Sequence, residues 1–370
     1  MIIILTQCFP SRIGGIETLI SNLALNLSKN YKVIVFADRH NLLLDSKYDK
    51  SVKDNFIVRR SSGLKFFRRR KKIKELKPFI FSKEIECVIG DSWKSFELCI
   101  DLLNNNKIPT ICLAHGNELL QKNPQKIKKI KEIFNKCNSI VTNSNYTLKI
   151  VKEYGINKPI LKRIYPAATN LDNINQSSNI AIQGNPIILT LARLEKRKGH
   201  INIINSIEKL KDQFKDIKYI IAGTGSELTY LKSEVAKKRL ENNIIFLGNI
   251  NESEKKYIFS IADLMVMPTL DESEVRSIEG FGIVYIESAF YGIPSIATNV
   301  GGTSEAVLNN VTGIVLNKIS ELDKVLQDLL TNKKKLFELG QKAKKRALED
   351  FQWNTIIEEY ISLISSIKIK

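Results

Sequence analysis

The sequence predicts an α/β protein built from two doubly wound parallel-sheet domains, and three observations carry that reading. Short apolar runs alternate with helical patterns along the whole chain, as expected of parallel strands covered on both faces. At 370 residues the chain is too long for one ordinary core. Charge is divided unevenly. Residues 1–168 hold 31 Lys and Arg against 14 Asp and Glu, whereas residues 169–370 hold 26 against 25, so nearly all of the net charge of +18 lies in the first half.

The first strand is Ile2–Leu5, which has no basic flank and runs straight into Thr6-Gln7, so it does not read as a signal peptide. From Glu17 to Lys29, Leu19, Ile20, Leu23, Ala24 and Leu27 share one helical face. Further strands are expected at Val33–Phe36, Cys87–Ile89, Thr110–Ala114 and Ser139–Thr142. The polar segment from Asn170 to Asn179 reads as a linker, and the charge balance changes there. Beyond it, strands are expected at Ile187–Ala192, Lys218–Ala222, Ile244–Leu247, Leu264–Met267, Ser295–Thr298 and Gly313–Leu316. The expected domains are therefore 1–168 and 169–352. Helices fill 319–349, and a final helix in 353–370, from about Trp353 to Ile367, is expected to pack back on the first domain.

Composition narrows the function classes. Apolar content of 43% indicates a globular protein, and no apolar run reaches the ~18 residues of a spanning helix. Five scattered cysteines without a C-x-x-C pair indicate neither a disulfide framework nor a zinc knuckle, and suit a reducing cytosol. The densest basic run, Lys65 to Lys77, interleaves Phe66, Phe67, Ile73 and Leu76. A second lies at Lys126 to Phe134. Both suit an anionic membrane surface, and a solvated basic face is the plainer alternative. No zinc-finger or RRM signature supports nucleic acid.

The chemistry-bearing residues sit where strands end. Gly14-Gly15 follows the first strand and leaves backbone N–H groups open to a ligand, although a flexible turn explains two glycines as well. This is not the G-x-G-x-x-G pattern of dinucleotide binders. His115-Gly-Asn-Glu118 follows the strand Thr110–Ala114. Arg193 and Lys198 leave the first strand of the second domain and suit a diphosphate, with a basic loop capped by Gly199 as the structural alternative. Gly223 and Gly225 lie at another strand-to-helix junction, where they line a nucleotide or merely turn the chain.

The segment Glu279-Gly-Phe-Gly-Ile-Val-Tyr-Ile-Glu287 is the richest. A glutamate precedes a glycine-flanked turn that opens a helix, an anion-binding arrangement. Glu287 lies roughly 6 Å along the axis from Ile283 at about 1.5 Å rise per residue. A ligand with hydroxyls at both ends and phosphates between, such as a nucleotide sugar, matches two carboxylates flanking an anion site.

These features fall on the same rim of their sheets. With Ala262 to Pro268, the Glu-x7-Glu spacing, Gly292-Ile-Pro294 and Gly301-Gly-Thr-Ser-Glu305, the chain resembles, over essentially its whole length, the retaining GT-B-fold glycosyltransferases of family 4. The Val275 to Tyr285 segment and His-Gly-x-Glu look most like the phosphatidylinositol mannoside mannosyltransferases.

That resemblance implies two Rossmann-like domains facing a cleft, closing to exclude water. It implies that Gly15 touches the donor phosphates or the sugar side, and that His115 approaches the transferred sugar. Arg193 and Lys198 neutralise the diphosphate. Glu279 contacts sugar hydroxyls, the backbone of Gly280, Phe281, Gly282, Ile283 and Val284 supports sugar and phosphate, and Glu287 binds the ribose. No D-x-D sequence occurs, so neither metal nor cofactor is expected. The expected reaction is retaining transfer of mannose, glucose or an N-acetylhexosamine from a GDP- or UDP-linked donor to a glycan or lipid-linked hydroxyl. It proceeds by front-face attack, with a Glu279 nucleophile as the alternative. The setting is cell-envelope polysaccharide, lipopolysaccharide or glycolipid synthesis, in the cytoplasm and peripheral on the cytoplasmic membrane face. A sugar-nucleotide 2-epimerase and a non-catalytic basic membrane- or nucleic-acid-binding protein are the other readings.

Overall fold

The apolar runs of the first half pair side by side as parallel strands: β1 (Ile2–Leu5), β2 (Val33–Asp38), β3 (Ile57–Ser61), β4 (Cys87–Gly90), β5 (Thr110–Ala114), β6 (Ser139–Thr142) and β7 (Ile160–Arg163). Their order in the sheet is β3-β2-β1-β4-β5-β6-β7. Ile2 sits beside Val33 on one side and Cys87 on the other, so the order of connection reverses between β1 and β4. In the computed structural model this sheet belongs to one unit, Met1–Ala167 with Trp353–Lys370, and Ala168–Gln352 forms a second. The structure describes every residue except Lys83, Asn173, 176–180, 369 and 370, and every described side chain except those of Lys65 and Phe66. Part of the expected linker and the Phe66 ring of the basic run therefore lie outside the described residues.

The second unit repeats the plan with β8 (Ile187–Leu191), β9 (Lys218–Ala222), β10 (Ile244–Gly248), β11 (Leu264–Met267), β12 (Ser295–Thr298) and β13 (Gly313–Leu316). All neighbours are parallel in the order β10-β9-β8-β11-β12-β13. Each sheet thus has a switch point, β1/β4 and β8/β11. In open sheets of this kind ligands bind beyond the carboxyl ends of the strands at that point.

Alternation along β1 explains why the first sheet is covered on both faces. Ile3 and Leu5 pack with Leu76, Phe96, Ile130 and Phe134 on one side. Ile2 and Ile4 pack with Ile20, Leu23 and Leu27 on the other. The second side is completed by the last helix, Trp353–Lys368, whose Ile356, Ile357, Tyr360, Leu363, Ile364 and Ile367 join the same cluster. Ion pairs Lys368–Glu86 and Lys162–Glu359 tie down its flanks. In the second unit one cluster runs from Ile188 through Tyr219 and Val266 to Leu339. Among the described residues no helix is long and apolar enough to cross a membrane.

The sequence reading missed β3 and β7. Both are edge strands, and both carry charged pairs, Arg59-Arg60 and Lys162-Arg163, in place of a continuous apolar run. The interior strands appear where the apolar runs predicted them, within a residue or two at their ends. The helix expected after Gly282 spans only Ile283–Ala289.

Candidate functional site

The most strongly coupled charges of the second unit lie at its switch point. β8 leads into the loop from Arg193, which closes as a short 3-10 turn, Lys196–Lys198, ended by Gly199 in the left-handed region. A Cβ on Gly199 would meet Pro268 O, just past β11, at 2.3 Å, so only glycine lets the two loops approach. The turn points Arg197 and Lys198 inward, where both are nearly fully buried. Glu279 Oε2 accepts from Arg197 Nη1 at 2.7 Å and from Lys198 Nζ at 2.5 Å. Burial alone would raise the Glu279 carboxyl, but Lys198 and Arg197 and their hydrogen bonds hold it down at about 2. Lys198 is pulled below the ordinary lysine value by burial and by Arg197, against the opposing pull of Glu279. Glu279 serves both buried cations, and Arg197 has a longer second contact to Glu195 at 3.7 Å.

Arg193, expected with Lys198 to neutralise a diphosphate, is exposed and paired with Glu195 at 2.7 Å, and Arg197 is the residue buried beside Lys198. Sequence alone offered four basic residues in one loop, and only the 3-10 geometry decides which of them turn inward. The glycines also receive local reasons. A Cβ on Gly223 or Gly225 would strike Ala192 O or Leu194 O at 2.0 and 2.3 Å, so this loop buttresses the Arg193–Lys198 loop. Gly301, with φ of 63°, approaches Glu279 O so closely that a Cβ would sit at 2.1 Å, and Gly302 N donates to that carbonyl at 2.9 Å. The Gly301-Gly302 turn thereby holds the Glu279 backbone. Gly282 is left-handed at the helix start, and Tyr285 Oη bonds Met267 O at 2.6 Å, fixing the short helix to the end of β11. Phe281 packs against Phe351 in the core, so of this residue only the backbone is offered outward, while Ile283 and Val284 are half-buried beside it. Glu287 is buried and paired with Lys255, a partner the sequence reading did not name.

The first unit has its own cluster of strand-end polar groups, organised by Asp91 just past β4. Its Oδ2 accepts from Thr6 Oγ1 at 2.7 Å and Gln7 N at 2.9 Å, and its Oδ1 from Ser95 Oγ at 2.6 Å. The Asp91 carbonyl lies 3.0 Å from His115 Nε2. A carbonyl only accepts, so Nε2 carries the proton and Nδ1 is left as an acceptor. Glu118 Oε1 accepts from His115 N at 2.6 Å, which explains the glutamate of the His-Gly-x-Glu run. Asp91 directly follows Gly90 at the end of β4, and a single glycine there forms no motif that singles out the aspartate in the sequence.

At Gly14-Gly15 the two glycines differ. A Cβ on Gly14 would meet Glu17 Oε2 at 2.3 Å, and Glu17 is buried and bonded to Arg12 Nε at 2.9 Å. The positive end of the helix Gly15–Leu27 is thus already faced by the chain's own carboxylate. A Cβ on Gly15 would meet nothing within 4 Å.

Part of the basic run is turned inward, while Arg70, Lys71, Lys74 and Lys77 are exposed. Lys72 is buried between Asp38 Oδ1 (2.6 Å) and Thr6 O (2.8 Å), Arg68 reaches Asp38 at 3.3 Å, and Arg69 pairs with Glu97 at 2.6 Å. Ile73 and Leu76 pack into the core. An open pocket at this rim is lined by Leu5, Gln7, Arg69, Lys72, Lys94 and Ser95. The second basic segment is an amphipathic helix, Pro124–Lys136, whose Ile130, Ile133 and Phe134 are consumed by the core. Among the described residues no group of three or more His, Cys, Asp or Glu is arranged to hold a metal ion.

Comparison with known proteins matches the two halves separately. Residues 172–346 match the family described as glycosyl transferases group 1, and residues 13–167 match glycosyltransferase family 4. The chain is 24% identical over 382 residues to the GDP-mannose-dependent monoacylated alpha-(1-6)-phosphatidylinositol monomannoside mannosyltransferase of Corynebacterium glutamicum, covering 98% of this chain and 97% of that one. With the GDP-mannose-dependent alpha-(1-6)-phosphatidylinositol monomannoside mannosyltransferase of Mycolicibacterium smegmatis it is 28% identical over 172 residues. That match spans 46% of this chain and 45% of the relative, so less than half of either protein. Two solved structures share the fold. HepE from Anabaena, in complex with UDP and glucose, has a TM-score of 0.79 at 17% identity, covering 99% and 100% of the two chains. Sucrose-phosphate synthase from Thermosynechococcus elongatus has a TM-score of 0.80 at 18% identity, covering 99% and 98%.

Proposed function

The chain belongs to the GT-B glycosyltransferases of the family 4 type, and from that membership we propose that it transfers a hexose-type sugar from a nucleoside-diphosphate donor to a hydroxyl of a glycan or lipid-linked acceptor, retaining configuration and without a metal ion. Mannose, glucose and N-acetylhexosamine are the candidate sugars, and cell-envelope polysaccharide, lipopolysaccharide or glycolipid synthesis is the candidate setting. The observation that carries the reading is the Arg197–Glu279–Lys198 cluster at the β8/β11 switch point.

Its chemistry suits charge that develops on a leaving diphosphate. Two buried cations held by Glu279, with Glu195 also reaching Arg197, have their positions set before the donor arrives, and so stabilise the leaving group without reorganising. We assign that task to Lys198 and Arg197, with Arg193 at the exposed edge of the same loop. A carboxylate held near 2 is a weak general base at neutral pH, which favours Glu279 as the residue that orients sugar hydroxyls. The proton of the acceptor hydroxyl then passes to a donor phosphate oxygen as the glycosidic bond breaks. Glu287 is assigned to the ribose, where hydroxyls would compete with Lys255 for its carboxylate. In the first unit, Gly15 is assigned to the donor because its open Cβ direction has no other use within the chain, and His115 to the transferred sugar through Nδ1. Names of relatives pull the donor two ways: the relatives compared above are GDP-mannose-dependent, and the HepE structure contains UDP with glucose.

The test is a release assay across GDP- and UDP-linked sugars with glycan and lipid-linked acceptors, run with and without EDTA. Release of nucleoside diphosphate with one donor, unaffected by EDTA and abolished in Lys198→Ala, is the expected result. No turnover with any donor, or turnover that EDTA stops and magnesium or manganese restores, would contradict the proposal.

A further inference from the structure

Three consecutive leucines stand in water at one corner of the first unit. Leu42, Leu43 and Leu44 are 64%, 80% and 54% exposed, and they form the first turn of the helix Leu42–Val52. The turn is rigidly made: Asn41 Oδ1 accepts from Leu43 N at 3.1 Å and Leu44 N at 3.0 Å. Leu64, 75% exposed, stands at the start of the next helix, Lys65–Phe81, and Phe67 follows at 60%.

The two leucine-bearing turns leave the carboxyl ends of adjacent strands, β2 and β3, whose last residues Asp38 and Ser61 are paired in register. Arg39 N bonds Ser61 O at 2.9 Å, and Arg68 Nη1 reaches Arg39 O at 3.4 Å, so the turns are stitched together. A run of exposed leucines on a soluble surface signals an interaction site.

On these two helices exposed cations outnumber exposed acids. The nearby acids are consumed internally: Asp38 by Arg68 and Lys72, Asp45 and Asp49 by the buried Arg60. Lys47 and Lys50 are exposed on the leucine-bearing helix, and Arg70 and Lys71, the latter paired with Glu75, are exposed on the next. An apolar tip on helices that carry exposed cations complements a surface with an apolar interior and anionic head groups.

We propose that Leu42, Leu43 and Leu44, with Leu64 beside them, form an anchor that seats this unit in an anionic lipid bilayer. The inference builds on the lipid-linked acceptor above but needs neither donor nor acceptor to be tested. It also moves the membrane-binding role away from the helix Pro124–Lys136, whose apolar face is buried, and from Arg68, Arg69 and Lys72, which are engaged within the fold.

The experiment places a reporter at the tip. The native tryptophans, Trp93 and Trp353, both pack into the core, so Leu43→Trp adds a distinguishable exposed fluorophore. With vesicles of phosphatidylcholine and phosphatidylglycerol, its emission should shift to the blue and be quenched by brominated acyl chains. Flotation of the full chain should fall about tenfold when Leu42, Leu43 and Leu44 are all changed to Ser, with an unchanged melting temperature. If the triple variant melts early, Leu43→Asp alone serves the same purpose. Equal flotation of parent and variant would overturn the anchor, including the case where salt alone abolishes it. So would an unshifted, unquenched Leu43→Trp, or a concentration-dependent dimer lost with the leucines while vesicles go unbound. Nucleoside-diphosphate binding measured in parallel separates the two readings, because equal flotation of parent and variant with intact nucleotide binding removes the anchor and leaves the transferase.

Discussion

Glu279 and its two cations make unequal demands on one another. Changing Glu279 to Ala would strand Lys198 as a buried uncompensated charge and leave Arg197 only its longer contact with Glu195, at a cost of about 3–5 kcal/mol. Lys198→Ala leaves the Arg197–Glu279 pair intact, so it should lower turnover by about 10²–10³ while melting close to the parent. Thermal denaturation beside turnover checks both, and equal melting of the two variants would refute the asymmetry. Acid stability follows from two shifts. His200 is buried against Tyr219, and burial lowers its pKa from 6.5 to about 4. Above 6.5 it is neutral folded and unfolded. Below 6.5 only the unfolded chain takes up the proton, so roughly 3 kcal/mol is lost as pH falls from 6.5 to about 4. Glu279 acts lower: its contribution is complete above about 4.5 and is lost as pH falls towards 2. Acid titration of His200→Gln should show the first limb flattened and the second kept. At this scale the sequence revealed residue types better than directions. Lys198 and His115 follow strand ends and Glu279 precedes the short helix, as read, but Arg197 and Asp91 in loops and Glu17 and Lys255 on helices emerge only from the folded geometry.

The helix Lys65–Phe81 shows how a motif that reads as one thing from sequence divides into faces when folded. Arg68 and Arg69 lie four and three residues before Lys72, and the three meet Asp38, Glu97 and Thr6, whereas Arg70 and Lys71 face outward. Lys72→Met should therefore destabilise the first unit by about 2–4 kcal/mol, and Lys71→Ala by less than about 0.5. Denaturant midpoints would distinguish them, and equal effects would mean that the burial of Lys72 contributes nothing. The Gly301-Gly302 turn is the corresponding device in the second unit. Gly301→Ala places a Cβ against Glu279 O in a left-handed conformation, so we expect loss of turnover together with about 1–3 kcal/mol of stability. The elements legible in sequence were those with a continuous apolar run. β3 and β7 were not, because an edge strand has one neighbour and tolerates Arg and Lys where an interior strand does not.

For the whole molecule, the first half carries nearly all the charge, and the structure distributes it between internal pairs and an outward-facing surface. Vesicle binding should accordingly weaken as salt rises, without affecting nucleotide affinity to the same degree, since the cations at Glu279 are buried and less screened. The course of the chain has a further effect. The first unit consists of two pieces of sequence, Met1–Ala167 and the helix that starts at Trp353, with the whole second unit between them. On the ribosome, the unit that begins first must therefore be finished last. At about 5–20 residues per second, the intervening 168–352 stretch keeps it waiting roughly 10–40 s. Throughout that interval the groove beside Ile20, Leu23 and Leu27 that the last helix will fill is open to any apolar passer-by. A nascent chain of this protein is thus a client for chaperones through its amino-terminal half, even after its carboxyl-terminal half has folded.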